Sequence, residues 1–297
     1  MRNLGPAARG HLAMLGFAMM VAGSFPLGAM TTAHIDPVVL NAVRFAVAAL
    51  AMWGLVAISG TGLRGVSVAP WRYFVLAALF AFYFVTMFAG LQTADPVSLA
   101  AVFTLNPALT AVFGWFVVQQ VTTRRMAAAI AIGGVGALWV VFRGDPRLAW
   151  RFEIGPGEAI YFWGCVAHAL YTPLLRKLSR GEPALAFVAM VLTAGAIILW
   201  IYAWQDILAT DWATMPVIVY KVIAYTALVA TGLTFLILRY AALRLPSAKV
   251  MAYTYIVPSC VIVWQFALGQ GGPAAILLPG VGLTAFALLL LLKDEGH

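Results

Sequence analysis

Charge is what this chain has least of. Asp, Glu, Lys and Arg make up 9% of its 297 residues, against roughly a quarter in an ordinary soluble domain. It has two cysteines, Cys165 and Cys260, both inside apolar stretches. That number and placement exclude a disulfide framework and make no metal site, so both read as small packing residues. The four histidines, His11, His34, His168 and His297, are scattered. No G-x-x-x-x-G-K-[ST] loop cradles a nucleotide, and neither H-E-x-x-H nor G-x-S-x-G occurs. These absences leave no cofactor or metal to expect and little to build an enzyme from.

What the chain has is apolar sequence. Aliphatic, aromatic and cysteine residues make up 64% of it, and the mean hydropathy is +0.97. A soluble protein of this size cannot hide so much apolar surface, whereas a bilayer accepts it as helices of about 20 residues. Ten blocks stand out: 10–31, 37–58, 72–93, 96–119, 125–142, 157–176, 183–204, 216–238, 246–269 and 273–292. Pro, Gly, Asp and Arg punctuate them, as in Asp36-Pro37, Asp95-Pro96 and Gly181-Glu182-Pro183. Helices are expected because lipid cannot satisfy backbone groups, and the blocks are too long and evenly apolar for barrel strands. The fold class is therefore all-α integral membrane.

The basic residues orient the spans. Arg2, Arg9, Arg64, Arg72, Arg124, Arg125, Arg176, Lys177, Arg180, Arg239, Arg244, Lys249 and Lys293 fall on one side of the alternating blocks. Arg143, Arg147 and Arg151 fall on the other, all in one loop. Basic loops stay cytoplasmic, which puts both termini inside a plasma (inner) membrane crossed many times. The net charge of +8 reflects this bias. It does not indicate nucleic acid, because the basic residues are spread over short loops. Block 10–31 has the basic flank of a signal peptide, but its length reads as a retained helix.

The halves resemble each other at low level. Leu105-Asn106-Pro107 aligns with Ile256-Val257-Pro258, and Phe25-Pro26 with Thr172-Pro173. Glycines 133, 134 and 136 recur as 280 and 282. Two domains follow, 1–147 and 148–297, each a repeat of five helices. An odd number inverts the second copy, the architecture of many secondary transporters, with a site near the midplane between halves.

The chain resembles the ten-helix EamA-type branch of the drug/metabolite transporter superfamily. The carriers are Asn41-Ala42-Val43-Arg44-Phe45, Gly90-Leu91-Gln92, Ser98-Leu99-Ala100-Ala101 and Leu105-Asn106-Pro107. In the second half they are Tyr240-Ala241-Ala242, Ala248-Lys249-Val250 and Val257-Pro258. Its aromatic content is similar to that of the branch exporting aromatic amino acids and methyl viologen. The resemblance implies two four-helix units rocking about a cavity lined by spans one, three, four, six, eight and nine, with five and ten peripheral. The chain departs from the family where Gln120 and Gly271 replace a glutamate at the ends of spans four and nine.

Several residues are candidates for the cavity. Arg44 is the one arginine well inside a span; its guanidinium fork matches a carboxylate, or else it reaches an interface or Asp36. His168 is either a substrate contact or a polar pin between helices. Trp163 and Tyr171 flank it, although Trp163 also suits an interfacial belt. Asn106 precedes a mid-span proline, and Tyr83, Tyr253 and Tyr255 offer walls for flat or cationic molecules. Pro26, Pro107, Pro173 and Pro258 break backbone hydrogen bonds inside blocks and are candidate kinks or hinges. Lys221 lies near a helix end and can snorkel. Glycines 133, 134 and 136 suit close helix contact, within the bundle or between subunits of a homo-oligomer.

The expected function is secondary export of small metabolites, chiefly amino acids including aromatic ones, with aromatic or cationic compounds as further candidate substrates. The partners are then a small-molecule substrate and the lipid bilayer. No acid lies at mid-span, where a proton-coupled pump commonly holds one, so facilitated or exchange transport is expected. A nucleotide-sugar or drug transporter of the same fold is the alternative. An integral membrane enzyme lacks clustered acids, histidines or cysteines, and a non-transporting subunit lacks a large extramembrane surface.

Overall fold

A computed structural model describes residues 6–151, 153–245 and 247–292. Helices account for the regular structure, and there is no strand among the described residues. They are α1 (Pro6–Ala22), α2 (Ser24–Ala29), α3 (Pro37–Ser59), α4 (Trp71–Gly90), α5 (Pro96–Phe103), α6 (Asn106–Val118), α7 (Arg124–Val141) and α8 (Pro146–Arg151). They continue with α9 (Pro156–Leu178), α10 (Ala184–Ala209), α11 (Val217–Ala227), α12 (Thr234–Ala242), α13 (Ser247–Ala252), α14 (Val257–Ala267) and α15 (Leu278–Leu292).

Local chemistry sets the starts and stops. Asp36 accepts from the backbone N–H of Val38 and Val39, and Asp95 from that of Val97; each precedes a proline at the first helical position. Thr123 caps α7 through Met126. Gly60 ends α3 at φ 63°, a left-handed stop that suits glycine.

Eight segments are long and apolar enough to cross a membrane: 12–29, 37–59, 71–90, 96–118, 124–141, 184–209, 217–242 and 249–267. A shorter apolar helix covers 275–290. Helix α9 has the length, at 23 residues. His168, Glu158, Arg176 and Lys177 make it more polar than the others.

Several of the sequence blocks are not single straight helices, and α10 itself kinks at Ala203. The first breaks at Gly23, between α1 and α2. The fourth breaks at Thr104-Leu105, just before Pro107. The ninth passes through a 3-10 turn, Tyr253–Ile256, just before Pro258. The eighth has a π-helical segment, Leu228–Leu233, between α11 and α12. Pro173, by contrast, stays inside the continuous α9.

The helices run between two ends of unlike charge. At the basic end Arg72 meets Glu182, Arg239 donates to the Glu182 carbonyl, and Gln120 accepts from the Ser247 N–H. At the acidic end one cavity joins His34 and Asp36 to Asp211 and Pro216, and another joins Asp95 and Glu158 to Arg143 and Pro273. Among the described residues, Glu182 is the one acid at the basic end. Arg2, Lys293 and both termini lie outside the described residues, as does the side chain of Arg9.

Most helices fall into two groups of neighbours that are themselves closely packed together. Helix α9 packs on α4 and α6, and α4 also packs on α10. Helix α1 packs on α12 and α14, while α3 packs on α11 and the π-helical segment. The groups meet most extensively where α3 lies on α10, and also where α13 lies on α6, α14 on α5, and α12 on α9 and α10. Helices α7 and α15 pair outside them. A Cβ on Gly136 would stand 2.6 Å from the Gly280 carbonyl oxygen, so the glycines let these two backbones cross closely. A Cβ on Gly133 would strike the Tyr255 ring at 2.4 Å. Both glycines thus serve contacts within the chain rather than between subunits; Gly134 faces open space.

Candidate functional site

An aromatic column fills the middle of the molecule. His168 and Tyr171, three residues apart on α9, present parallel rings 6.3 Å apart. Tyr83 lies over His168 at 4.5 Å, and its hydroxyl accepts from Tyr161 at 3.1 Å. Phe80 packs against His168, Tyr171 and, from the other group, Phe235 at 4.2 Å. Phe25 on α2 closes the acidic-end side by meeting Phe103 and Tyr161. His168 Nδ1 stands 3.4 Å from Asn106 Oδ1. Tyr83, Asn106, His168 and Tyr171 are all buried, so this conformation seals the column.

The break before Pro107 leaves its carbonyls satisfied. Asn106 Nδ2 donates to the Phe103 carbonyl at 2.9 Å, and Thr104 Oγ1 to that of Ala101 at 2.6 Å. In the ninth block Thr254 Oγ1 does the same for Met251 at 2.8 Å. At Phe103 the Asn106 side chain thus replaces the bond that Pro107 cannot make, while the Thr104 and Thr254 hydroxyls bond carbonyls nearer the start of each break.

Arg44 lies at the acidic-end side of the column and is 0% exposed. Its Nε donates to Thr231 Oγ1 at 2.7 Å, Nη2 to the Ala230 carbonyl at 3.3 Å and Nη1 to Asn41 Oδ1 at 3.5 Å. The guanidinium carbon sits 3.6 Å above the Phe84 ring. Every partner is neutral. Among the described residues no carboxylate is within ion-pair distance of Arg44, and Asp36 is occupied in capping α3. The π-helical segment supplies both Thr231 and the Ala230 carbonyl. A π-bulge shifts the backbone register and often marks a functional position. Nothing in Leu228-Val229-Ala230-Thr231-Gly232-Leu233 announces it in the sequence; the motif reads as ordinary apolar helix.

At the basic end, Arg72, Glu182 and Arg239 form a second buried charged cluster. Arg72 Nη1 lies 2.7 Å from Glu182 Oε1. Arg72 also donates to the carbonyls of Val68, Ala69 and Leu178. Arg239 Nη2 reaches the Glu182 carbonyl at 2.8 Å and its Oε2 at 3.9 Å, with the guanidinium over Phe187. Burial opposes the Glu182 charge, but the Arg180 N–H and the Arg72 guanidinium outweigh it, holding the carboxyl below the usual carboxylate range. In the sequence, Arg72 and Arg239 read only as loop charges that orient the chain.

The remaining candidates are elsewhere. Trp163 is 62% exposed on the outer face of α9. Five residues before His168, it lies about 140° around the helix, which turns it away from the column and corrects its place beside His168. Tyr255 is buried against α7, with its hydroxyl 3.5 Å from the Ile130 carbonyl. Tyr253 is buried in the same 3-10 turn. Lys221 is exposed near the start of α11. Pro26, Pro107 and Pro258 lie beside helix breaks, whereas Pro173 does not. Gln120, in place of the family glutamate, ties α6 to α13 through the Ser247 N–H.

The EamA-like transporter family model matches residues 8–142 and 155–293. The chain belongs to the EamA-like transporter family. As a member of that family, within the drug/metabolite transporter superfamily, it is a multi-pass membrane transporter. This EamA-like transporter is 26% identical over 294 residues to the uncharacterized transporter YyaM of Bacillus subtilis (strain 168), covering 95% of each chain. A solved crystal structure matches the EamA-like transporter with a TM-score of 0.72 at 20% identity, covering 94% of this chain and 96% of that one. At that identity the likeness concerns the fold.

Proposed function

We propose that this transporter is a secondary carrier exporting small carboxylate-bearing metabolites, foremost amino acids including aromatic ones, by alternating access. The observation that carries this reading is Arg44: a guanidinium sealed in the bilayer interior, beside an aromatic column, with neutral partners only. A buried cation without an anion is costly. A substrate carboxylate supplies that anion in the bidentate geometry that the fork accepts. Phe84, Tyr83 and Phe80 then offer faces to a flat side chain. A dication such as methyl viologen would meet the Arg44 charge unfavourably.

In this proposal the ten sequence blocks cross the membrane as two inverted halves. Contacts pair off under exchange of the halves: α4 on α9 with α12 on α1, α6 on α9 with α14 on α1, and α10 on α4 with α3 on α11. The two groups correspond to rocking units, and α7 with α15 to a peripheral strut. The basic end is cytoplasmic by the positive-inside rule, in a plasma membrane. Pro107 and Pro258, at corresponding breaks, are the hinges. Asn106, His168 and Tyr171 line the cavity once it opens.

The test is purified protein in liposomes loaded with labelled amino acids. Efflux of phenylalanine or a comparable amino acid down its gradient, lost in Arg44→Gln, is the expected result. Movement of dications or nucleotide-sugars instead, with no amino acid carried, overturns the substrate assignment.

A further inference from the structure

The basic-end cluster joins the two helix groups, and its bonds are unequally shared. Arg72 (α4) is anchored inside its own group by three backbone carbonyls as well as by Glu182. Arg239 (α12) belongs to the opposite group. Across the divide it hydrogen-bonds Glu182 by a backbone carbonyl at 2.8 Å, with a looser carboxylate contact at 3.9 Å, and its guanidinium lies over the Phe187 ring of α10. Its Nε has no hydrogen-bond partner, although the side chain is only 5% exposed. A buried guanidinium with an idle N–H is under-satisfied. The Nε–H and an Nη–H together form the edge that grips a carboxylate through two parallel bonds. Glu182 Oε2 is also held by the Arg180 N–H at 2.8 Å, which keeps it from closing on that edge. Phe235, one turn from Arg239 on α12, touches Phe80 and Tyr171 of the column. The Arg239 edge therefore lies on the route from the basic end to the column.

We propose that Arg239 is an entry site for the substrate's carboxylate, with Glu182 its resident substitute. In the closed state Glu182 holds Arg239 loosely and locks the two groups together at the basic end. An incoming small carboxylate takes the Nε and Nη edge in bidentate form, displaces both the 3.9 Å carboxylate contact and the 2.8 Å bond to the Glu182 carbonyl, and so releases the lock. Arg72 keeps Glu182 in its own group while this happens, so the displaced acid stays paired. The assignment rests on the carboxylate reading of the transported substrate. It adds that recognition begins at the cytoplasmic mouth rather than at Arg44.

Cys165 is a native reporter: it is buried in α9 among the column residues. In a Cys260→Ser background, a membrane-impermeant thiol reagent is added from one face at a time to oriented vesicles. Glu182→Gln is expected to raise Cys165 labelling from the basic face at least fivefold, with the acidic face unchanged and Glu182→Asp near wild type. With Glu182 intact, L-phenylalanine is expected to raise basic-face labelling while phenylalaninamide, lacking the carboxylate, does not. Arg239→Gln, which also lacks the lock, is expected to label from the basic face as fast as Glu182→Gln and to show no further rise with phenylalanine. Equal labelling of Glu182→Gln and wild type overturns the lock, and a rise from both faces, which signals general loosening, overturns it too. An equal response to acid and amide overturns the carboxylate site. If phenylalanine is inert and not transported but benzoate opens wild type and not Arg239→Gln, the entry site stands and the amino-acid reading fails.

Discussion

Two buried arginine sites flank the aromatic column, and they solve the same problem in opposite ways. At the basic end Arg72 is matched by a carboxylate and three carbonyls. At the acidic-end side Arg44 has a threonine hydroxyl, an amide oxygen, a carbonyl and an aromatic face, but no acid. A paired arginine is a structural tie whose loss leaves a stranded charge. An unpaired one, held only by dipoles, is a standing vacancy for an anion. On the proposed reading, the difference separates a residue that fastens the fold from one that receives a ligand, although both are equally hidden from solvent.

Substitutions sharpen the contrast. Arg44→Gln is expected to cost about 3 kcal/mol of carboxylate recognition, roughly a hundredfold in transport. Its melting temperature in detergent should stay near that of wild type; a large drop would make Arg44 a tie like Arg72. Arg72→Ala is the converse, removing about 3–5 kcal/mol of stability by stranding Glu182, read as a lowered unfolding temperature. Thr231→Val removes a charge-assisted hydrogen bond worth about 1.5–3 kcal/mol and should loosen Arg44 without abolishing flux. Phe84→Leu strips the ring beneath Arg44, at about 1–2 kcal/mol, seen as a roughly tenfold rise in half-saturating substrate. Trp163→Ala, on the outer face, should leave transport within about twofold of wild type; a larger loss would return it to the cavity.

The same contrast predicts a pH response. The Glu182 carboxyl is held below its ordinary range, so the lock is fully charged at neutral pH and above. It weakens only when the pH falls through that depressed value, below the range where a free carboxylate titrates. The ratio of Glu182→Gln to wild-type labelling of Cys165 at each pH, which cancels the thiol's own pH dependence, should therefore be constant around neutrality and fall towards one only in strong acid.

How much of this was legible depended on the kind of signal. Apolar blocks and Asp-Pro boundaries are local, so the helix starts at Pro37 and Pro96 follow directly from the residues. The His168–Tyr171 pair follows from a spacing of three. Trp163 was misplaced because five residues is not a same-face spacing. The π-helical segment was hidden because Leu228–Leu233 has an ordinary helical composition, and what distinguishes it is its bonding to Arg44, nearly two hundred residues away in sequence. Arg72 and Arg239 were visible as positive charges near span ends. Their burial with Glu182 arises from tertiary packing that no local pattern encodes.

The missing counter-ion of Arg44 has an electrical consequence. Displacing one elementary charge through the membrane field involves about 2.3 kcal/mol per 100 mV. An empty carrier that reorients Arg44 across that field is voltage-sensitive. A simple monoanion cancels the guanidinium and renders the loaded form electrically silent, whereas a zwitterion leaves the current intact. Voltage-clamped flux therefore reports the net charge of the cargo before its identity is known.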